Sequence, residues 1–259
     1  MKLLHLAAVI VTLSLSPGHA QQQTKNVLAW IDEHIMCPVF RVCNNGQSNS
    51  TNMNGMNFCT TSSCVAEKFT SSGLVPDVIS RPPTEILRLE FGSKSVQLGN
   101  VFLPTEAADA PTTISWSTKP NELYTVAFSD PDAPSRSDPA VRSYKHWLVV
   151  NVPGTDISRG TTIVPFIGPG PQQGTGMHRY NFLIYRQNGQ VNNVDPMDGV
   201  DAAAKQISDA LIDQLYGDQP DRATSMKNSV NWSPERFANK FGMGAPIAGN
   251  FFMAEYTPS

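Results

Sequence analysis

The chain has 259 residues, of which 40% are hydrophobic and 16% charged, and its 19 basic and 22 acidic side chains give a formal net charge of −3. A chain of this length can bury a core without metal or disulfide staples, and the low charge argues against global disorder. The absence of a Lys/Arg cluster argues against a nucleic-acid binder, which needs a basic surface for phosphates. The 18 glycines and 20 prolines indicate many turns.

The N-terminus has the pattern of a secretory signal peptide. Lys2 precedes an apolar run from Leu3 to Leu15, and small residues follow up to Ala20. We therefore expect residues 1–20 to be removed and the protein to be secreted. A membrane anchor is the alternative, but this run is too short to cross about 30 Å of hydrocarbon comfortably.

The four cysteines lie close together in the N-terminal part of the chain, at Cys37, Cys43, Cys59 and Cys64. In a secreted protein this clustering indicates two disulfides, and the sequence leaves all three pairings open. A zinc site is the alternative, but the gaps of five, fifteen and four residues do not match the usual Cys-x2-4-Cys spacing.

The chain divides into a Cys-containing N-terminal extension, residues 21–72, and a body, residues 73–259. The extension is predicted to form a helix over residues 26–36, followed by an Asn/Ser/Gly-rich loop over residues 44–57. Asn49 in this loop starts a glycosylation sequon. A hinge is expected near Gly73, where the body begins.

Apolar alternation and short apolar runs predict strands throughout the body. The candidate strands are residues 86–91, 113–116, 123–128, 147–152 and 180–185. They indicate an all-β fold, a β-sandwich or barrel, with a few peripheral helices. One helix is predicted over residues 200–216, with its apolar face formed by Val200, Ala204, Ile207, Leu211 and Leu215. Another is predicted to start after the N-cap Ser233 and to end at Gly242.

The first candidate site segment is a rigid acidic turn after a buried strand. Asp130 and Asp132 lie two residues apart, and Pro134 helps to fix the backbone around them. His146 opens the next apolar strand, where simple alternation predicts that it shares a face with Leu148 and Val150.

The second candidate segment is the Gly/Pro-rich run over residues 168–176, followed by His178 and Tyr180. Glycines allow a backbone to approach a ligand, and residues two apart on a strand point to the same side. Loop N–H groups, histidines and a tyrosine hydroxyl suit a phosphate or carboxylate. Since the acidic turn can accept from an amine, the set favours a zwitterionic phosphoryl-amine over a bare anion.

Each feature has an alternative explanation. A histidine at a strand start is more often a structural residue with satisfied hydrogen bonds. Two His and two Asp could bind a metal, but they come from separate segments without a ligand-spacing signature. The body contains no Gly-x-Ser-x-Gly elbow and no cysteine nucleophile. We therefore expect no enzymatic activity and no cofactor.

Two long motifs, in this order, resemble the phosphatidylethanolamine-binding protein family. They are Asp130-Pro-Asp-Ala-Pro-Ser-Arg136 with His146-Trp147, and Gly170-Pro171 with Gly174-Thr-Gly-Met-His-Arg-Tyr180. The resemblance extends from about Leu74 to Tyr256, and the Cys-containing extension looks like the surface and excretory antigens of parasitic nematodes.

The resemblance implies a β-sandwich with a small anion pocket at one end. By motif position the pocket residues are Asp130, Pro134, Tyr144, His146, Gly170, Pro171, His178 and Tyr180. It also implies cis peptide bonds before Pro131 and Pro134. The chain departs from the family pattern at Lys145, where the first of two adjacent histidines often stands, and in an insertion near residues 195–228.

These observations predict a secreted binding protein that holds a phospholipid head group or another small anion, with peripheral membrane contact and no nucleic-acid partner. A second hypothesis is a protein-interaction module, such as an inhibitor of a protease or of a kinase pathway. A third is an enzyme that uses Asp/His acid–base chemistry.

Overall fold

A computed structural model describes Cys59 and residues 61–258 except residue 217, with only the backbone described at residues 211, 215, 216 and 222. The chain divides after Phe58 into two units, and the second is the one that the structure describes. The predictions for the signal peptide, the helix over residues 26–36, the loop over residues 44–57, the Asn49 sequon, Cys37 and Cys43 lie outside the described residues.

The second unit begins with two short helices, α1 (Ser62–Ser71) and α2 (Leu74–Asp77). Gly73, with a positive φ of 75°, makes the turn between them. Cys59 and Cys64 form a disulfide at the start of α1. α1 buries Val65 and Phe69 in the core of the body.

A six-stranded sheet forms the centre of the unit. Its strands along the chain are β1 (Glu85–Ile86), β5 (Leu123–Asp130), β6 (Tyr144–Pro153), β7 (Thr161–Val164), β8 (His178–Arg186) and β9 (Ala248–Ala254). Their order across the sheet is β1-β9-β8-β5-β6-β7, and every pair is antiparallel except β1 with β9.

A smaller antiparallel sheet covers one face of the large sheet. It contains β2 (Arg88–Phe91), β3 (Lys94–Ser95) and β4 (Thr113–Ser115), in the order β3-β2-β4. The core between the sheets is largely aromatic: the Phe91 ring contacts those of Phe182 and Phe252 edge-on. The all-β sandwich with a few peripheral helices is therefore confirmed.

The other face of the large sheet is covered by helices. α3 (Ala202–Tyr216) packs on α4 (Pro220–Ser229), which lies against β6, and α5 (Pro234–Lys240) joins α1 in the core on this face. As predicted, α5 starts after Ser233, whose hydroxyl accepts from the Arg236 N–H, and Gly242 follows its end with a φ of 66°. None of the helices in the described part of the chain is both long and apolar enough to span a membrane.

The predicted helix over residues 200–216 exists, but its apolar face was partly wrong. Ile207 is 77% exposed, whereas Ser208 and Ile212 are buried. These two residues are four apart and therefore share one helix face. The amide of Asn231 donates to the Ser208 hydroxyl at 2.6 Å. The buried face of α3 thus includes a hydrogen-bonded serine, Ser208, whereas hydrophobicity predicted that the neighbouring Ile207 is buried.

A β-bulge at the start of β6 overturns the predicted face of His146. Phe128 pairs with Trp147 but the next residue, Ser129, pairs with Lys145, so His146 is the extra residue. A bulge breaks the alternation of side chains. The His146 ring consequently lies 5.0 Å from the Phe128 ring in the inter-sheet core, whereas Leu148 and Val150 belong to the core on the opposite face.

Lys145 anchors the insertion to β6 from the face opposite His146. It is fully buried, its ammonium group donates to the Pro196 carbonyl, and its Nζ lies 5.3 Å from the Trp232 ring centroid. Burial lowers the pKa of Lys145 to about 8, although the charges of Asp198 and Asp195 oppose this shift. The folded protein therefore keeps this ammonium charged at neutral pH at a cost in stability.

The low pKa of Lys145 predicts a pH-dependent stability. Between about pH 8 and pH 10 the unfolded chain binds a proton that the folded protein has lost, so the free energy of unfolding rises with pH. Relative to that of Lys145→Met, the free energy of unfolding of the wild type should rise by roughly 1.4 kcal/mol per pH unit in this window. Urea unfolding at several pH values measures this difference, with exposed Lys119→Met as the control for a lost charge. A difference that does not vary with pH would contradict the prediction.

Candidate functional site

The acidic turn places Asp130 against His178 at one end of the sandwich. Asp130 is the last residue of β5, and its Oδ1 accepts the Asp132 backbone N–H at 2.7 Å. Its Oδ2 lies 2.7 Å from Nδ1 of His178, and both side chains are almost completely buried. The turn thus directs a carboxylate at an imidazole 48 residues further along the chain.

One of the two expected cis peptide bonds is present. Ala133–Pro134 is cis, whereas Asp130–Pro131 is trans, and the expectation for Pro131 is therefore wrong. The chain turns here through the hydrogen bond from Asp132 to the Asp130 side chain, which closes an Asx turn and needs no cis bond. Pro134 is half-buried at the end of this turn.

His178 uses both ring nitrogens within the structure. Nδ1 contacts the Asp130 carboxylate, and Nε2 lies 2.9 Å from the Thr175 hydroxyl. The Thr175 hydroxyl also lies within hydrogen-bond distance, 2.7 Å, of the Gln172 carbonyl. Both ring nitrogens of His178 are therefore engaged within the protein.

His146 is held by the segment that leads into the Gly/Pro-rich loop. Its Nδ1 donates to the Ile167 carbonyl at 2.8 Å, and its own carbonyl accepts the Ile167 N–H at 2.9 Å. Burial lowers the pKa of His146, while the charge of Asp130 and the Ile167 hydrogen bond partly compensate. His146 is thus a neutral, fixed imidazole at pH 7.

Aromatic rings join the two histidines into one cluster. The Tyr180 ring lies 5.4 Å from His146 and 6.2 Å from His178, and the Tyr144 ring lies 4.8 Å from His146. The near-parallel His178 and Tyr180 rings confirm that these residues share one side of β8. Burial raises the pKa of the Tyr180 hydroxyl, and the charge of Asp130 and a hydrogen bond to this carboxylate raise it further. The hydroxyl therefore stays protonated and can donate.

The Gly/Pro-rich loop closes the same end of the sandwich. Gly168 lies against the Ala107 and Ala108 carbonyl oxygens so closely that a Cβ would approach the nearer one to 2.7 Å. A hydrogen bond from the backbone N–H of Gly170 counteracts the rise in the Tyr180 pKa, which places this amide at the hydroxyl. Gly170 is exposed and Pro171 is buried beside it. The loop thus brings a backbone donor to the cluster.

Asp132 forms a buried ion pair with Arg179, which the sequence did not indicate. Its Oδ2 accepts from the backbone N–H and from Nε of Arg179, at 2.9 and 2.8 Å, and its Oδ1 accepts from the guanidinium at 2.5 Å. Asp132 is 1% exposed. Arg179 thus contacts both carboxylate oxygens of Asp132, and the role of Asp132 as a ligand acceptor stays a prediction.

Arg179 links the acidic turn to the start of the described unit. It also donates to the Asp77 carboxylate at 2.8 Å and to the Ser72 carbonyl at 3.1 Å. Arg142 forms an ion pair with Asp77 as well. Burial alone would lower the pKa of Arg179, but its hydrogen bonds with Asp132 and Asp77 raise it above the ordinary value.

The site therefore combines most of the predicted residues and adds some that were missed. Asp130, Tyr144, His146, Gly170, His178 and Tyr180 come together. Thr175 and Arg179 were missed, although both stand within the second motif, because their partners are identified only by the fold. Within the described residues no group of three or more His, Cys, Asp or Glu side chains is arranged to hold a metal ion.

Comparisons with known proteins identify relatives of this chain. Residues 92–219 match the family model described as phosphatidylethanolamine-binding protein. Odorant-binding protein A5 of Drosophila melanogaster is 34% identical over 189 residues, which are 71% of this chain and 79% of that protein. The 26 kDa secreted antigen of Toxocara canis is 32% identical over 193 residues, which are 74% of this chain and 64% of the antigen.

The fold is also found among solved structures. The carboxypeptidase Y inhibitor, crystallised in complex with its cognate proteinase, has a TM-score of 0.57 and 21% identity, covering 76% of this chain and 97% of the inhibitor. The sandwich, the two motifs and the family-model match lead to one conclusion. This chain belongs to the phosphatidylethanolamine-binding protein family.

Proposed function

We propose that this chain is a secreted, non-enzymatic binding protein that holds a phosphorylated head group or a similar small anion between His146, His178 and the Gly/Pro-rich loop. The observation that carries this proposal is the convergence of two imidazoles, the Tyr180 hydroxyl and the Gly170 amide around one buried carboxylate, Asp130. The Tyr180 hydroxyl and the Gly170 amide supply donors for phosphate oxygens, and the carboxylate can accept from an amine.

Secretion is supported by three observations. The first 20 residues have the pattern of a signal peptide, and a relative from Toxocara canis is named a secreted antigen. The disulfide between Cys59 and Cys64 is the kind of bond that persists in an oxidising compartment. Glycosylation at Asn49 belongs to the same proposal, and its test is a mass shift on amidase treatment of the secreted protein.

Two tyrosines on β8 allow a matched test of the proposed site. Tyr180→Phe removes the hydroxyl at the cluster, so phosphorylethanolamine should bind about tenfold more weakly, as expected for the loss of one hydrogen bond to a charged group. Tyr185→Phe is the control, because Tyr185 lies on the opposite face of the same strand and its buried hydroxyl has no partner among the described residues. Calorimetric titration of both variants measures the difference. Equal affinity in wild type and Tyr180→Phe would contradict the site.

Protein binding is the second candidate function. It is favoured by the likeness to the carboxypeptidase Y inhibitor, whose crystal structure contains a proteinase partner. Inhibition of a carboxypeptidase by this chain, retained in His178→Ala, would assign the activity to a surface outside the anion site. Sedimentation with phosphatidylethanolamine vesicles tests the proposed membrane contact separately.

A further inference from the structure

The hydrogen bonds of the two histidines leave one ring nitrogen for a ligand. His178 makes hydrogen bonds through Nδ1 with Asp130 and through Nε2 with Thr175. His146 donates from Nδ1 to the Ile167 carbonyl, and Nε2 makes no hydrogen bond within the described part of the chain. The nitrogen that can meet a ligand is therefore Nε2 of His146.

This nitrogen is a hydrogen-bond acceptor. A carbonyl cannot donate, so the proton of the neutral His146 ring must be on Nδ1, and Nε2 then carries a lone pair. Burial lowers the pKa of His146, and the charge of His178 adds to this effect. The ring thus keeps this tautomer at neutral pH.

Titratable side chains from three strands surround His146. The titratable side chains that face it are Asp130 from β5, Tyr144 from β6, and His178 and Tyr180 from β8. The Gly/Pro-rich loop contributes backbone groups, and the Phe128 ring contributes none that titrates. The charge of Asp130 raises the pKa of His146 and that of His178 lowers it, so the two effects oppose each other.

A fully ionised phosphate oxygen would face a lone pair at this nitrogen. A phosphate oxygen that still carries a proton would instead donate to it, while the remaining oxygens accept from Tyr180 and the loop amide of Gly170. We propose that the site selects phosphomonoesters in their monoanionic form, with the P–OH group donating to Nε2 of His146. This inference rests on the proposed anion-binding function and identifies which phosphates it accepts.

The inference separates two sources of the same head group. A phosphomonoester such as phosphorylethanolamine loses its second proton with a pKa of about 6, so it can bring a P–OH group or take up a proton on binding. The phosphodiester of a lipid head group has no P–OH, and its binding would require a proton on His146 itself, which burial opposes. The monoester should therefore bind more tightly than the diester at neutral pH.

The experiment compares phosphorylethanolamine with glycerophosphorylethanolamine by calorimetry at pH 5, 7 and 8.5. Repeating each titration in buffers of different ionisation enthalpy counts the protons taken up. For the monoester we expect almost no uptake at pH 5, about one proton at pH 8.5, and about a tenfold loss of affinity per pH unit above pH 7. The diester should bind at least about tenfold more weakly at pH 7.

The variant His146→Gln tests whether His146 is responsible for the proton uptake. In His146→Gln the amide can donate to an ionised oxygen without titrating, so the uptake at pH 8.5 should disappear. Unchanged thermal unfolding confirms that the variant is folded. Monoester binding to the wild type without proton uptake at pH 8.5, or a diester that binds as tightly as the monoester, would overturn this inference alone. No binding of either compound at any pH would overturn the proposed function as well.

Discussion

Replacing Arg179 with leucine should lower the free energy of unfolding by about 3–5 kcal/mol, the usual cost of removing one partner from a buried ion pair. The substitution leaves the Asp132 carboxylate, which is 1% exposed, without the two side-chain donors that occupy its oxygens. It also removes the contacts of Arg179 with Asp77 and Ser72. Urea denaturation followed by circular dichroism measures the loss.

Arg186→Leu is the matched control for this prediction. Arg186 lies on the same strand, β8, but its side chain is 45% exposed and pairs with Glu122 at the surface. Exposed pairs contribute up to about 1 kcal/mol. If Arg179→Leu cost no more than Arg186→Leu, the buried network would not have the stabilising role expected of it.

Trp232→Ala should be similarly destabilising, at about 3–5 kcal/mol, because a large buried ring is removed. The Trp232 indole N–H donates to the Asp198 carbonyl at 2.8 Å, and its backbone forms two hydrogen bonds with Ser143. Gly199 packs against this ring so closely that a Cβ would lie 2.8 Å from Nε1. Trp232 therefore links the insertion near residues 195–228 to Ser143, the residue before β6.

The conservative variants Trp232→Phe and Trp116→Phe isolate the hydrogen bond. Trp116 is also buried, but its indole N–H has no partner among the described residues, so only Trp232→Phe loses a bond. Trp232→Phe should cost about 1 kcal/mol more in thermal unfolding. Its affinity for phosphorylethanolamine should not change, since Trp232 packs on the face opposite the site. Equal stability of the two variants would contradict the anchoring role.

The sequence predicted the parts of the fold that follow from hydrophobic periodicity. The long strands β5, β6 and β8 are apolar enough to be recognised, and Ser233 with Pro234 marks the start of α5. Short strands such as β3 and the polar helix α4 lack such a signal. Their formation depends on tertiary contacts, which override local propensity.

The sequence indicated most of the residues that form the site, but not how their side chains are arranged. Position in the two motifs indicated His146, His178 and Tyr180. It could not indicate that a bulge rotates His146 into the inter-sheet core, because periodicity assumes regular pairing. It also could not distinguish the two acids of the turn. In the structure Asp130 contacts His178, whereas Asp132 pairs with Arg179.

The central claim is that an anion binds between the two imidazoles, and NMR of the histidine side chains tests it most directly. On titration with phosphorylethanolamine at pH 6, the ring resonances of His146 and His178 should shift together and give a single dissociation constant. Ring resonances that stay unchanged at millimolar ligand would contradict the account, whatever other surface the ligand perturbs.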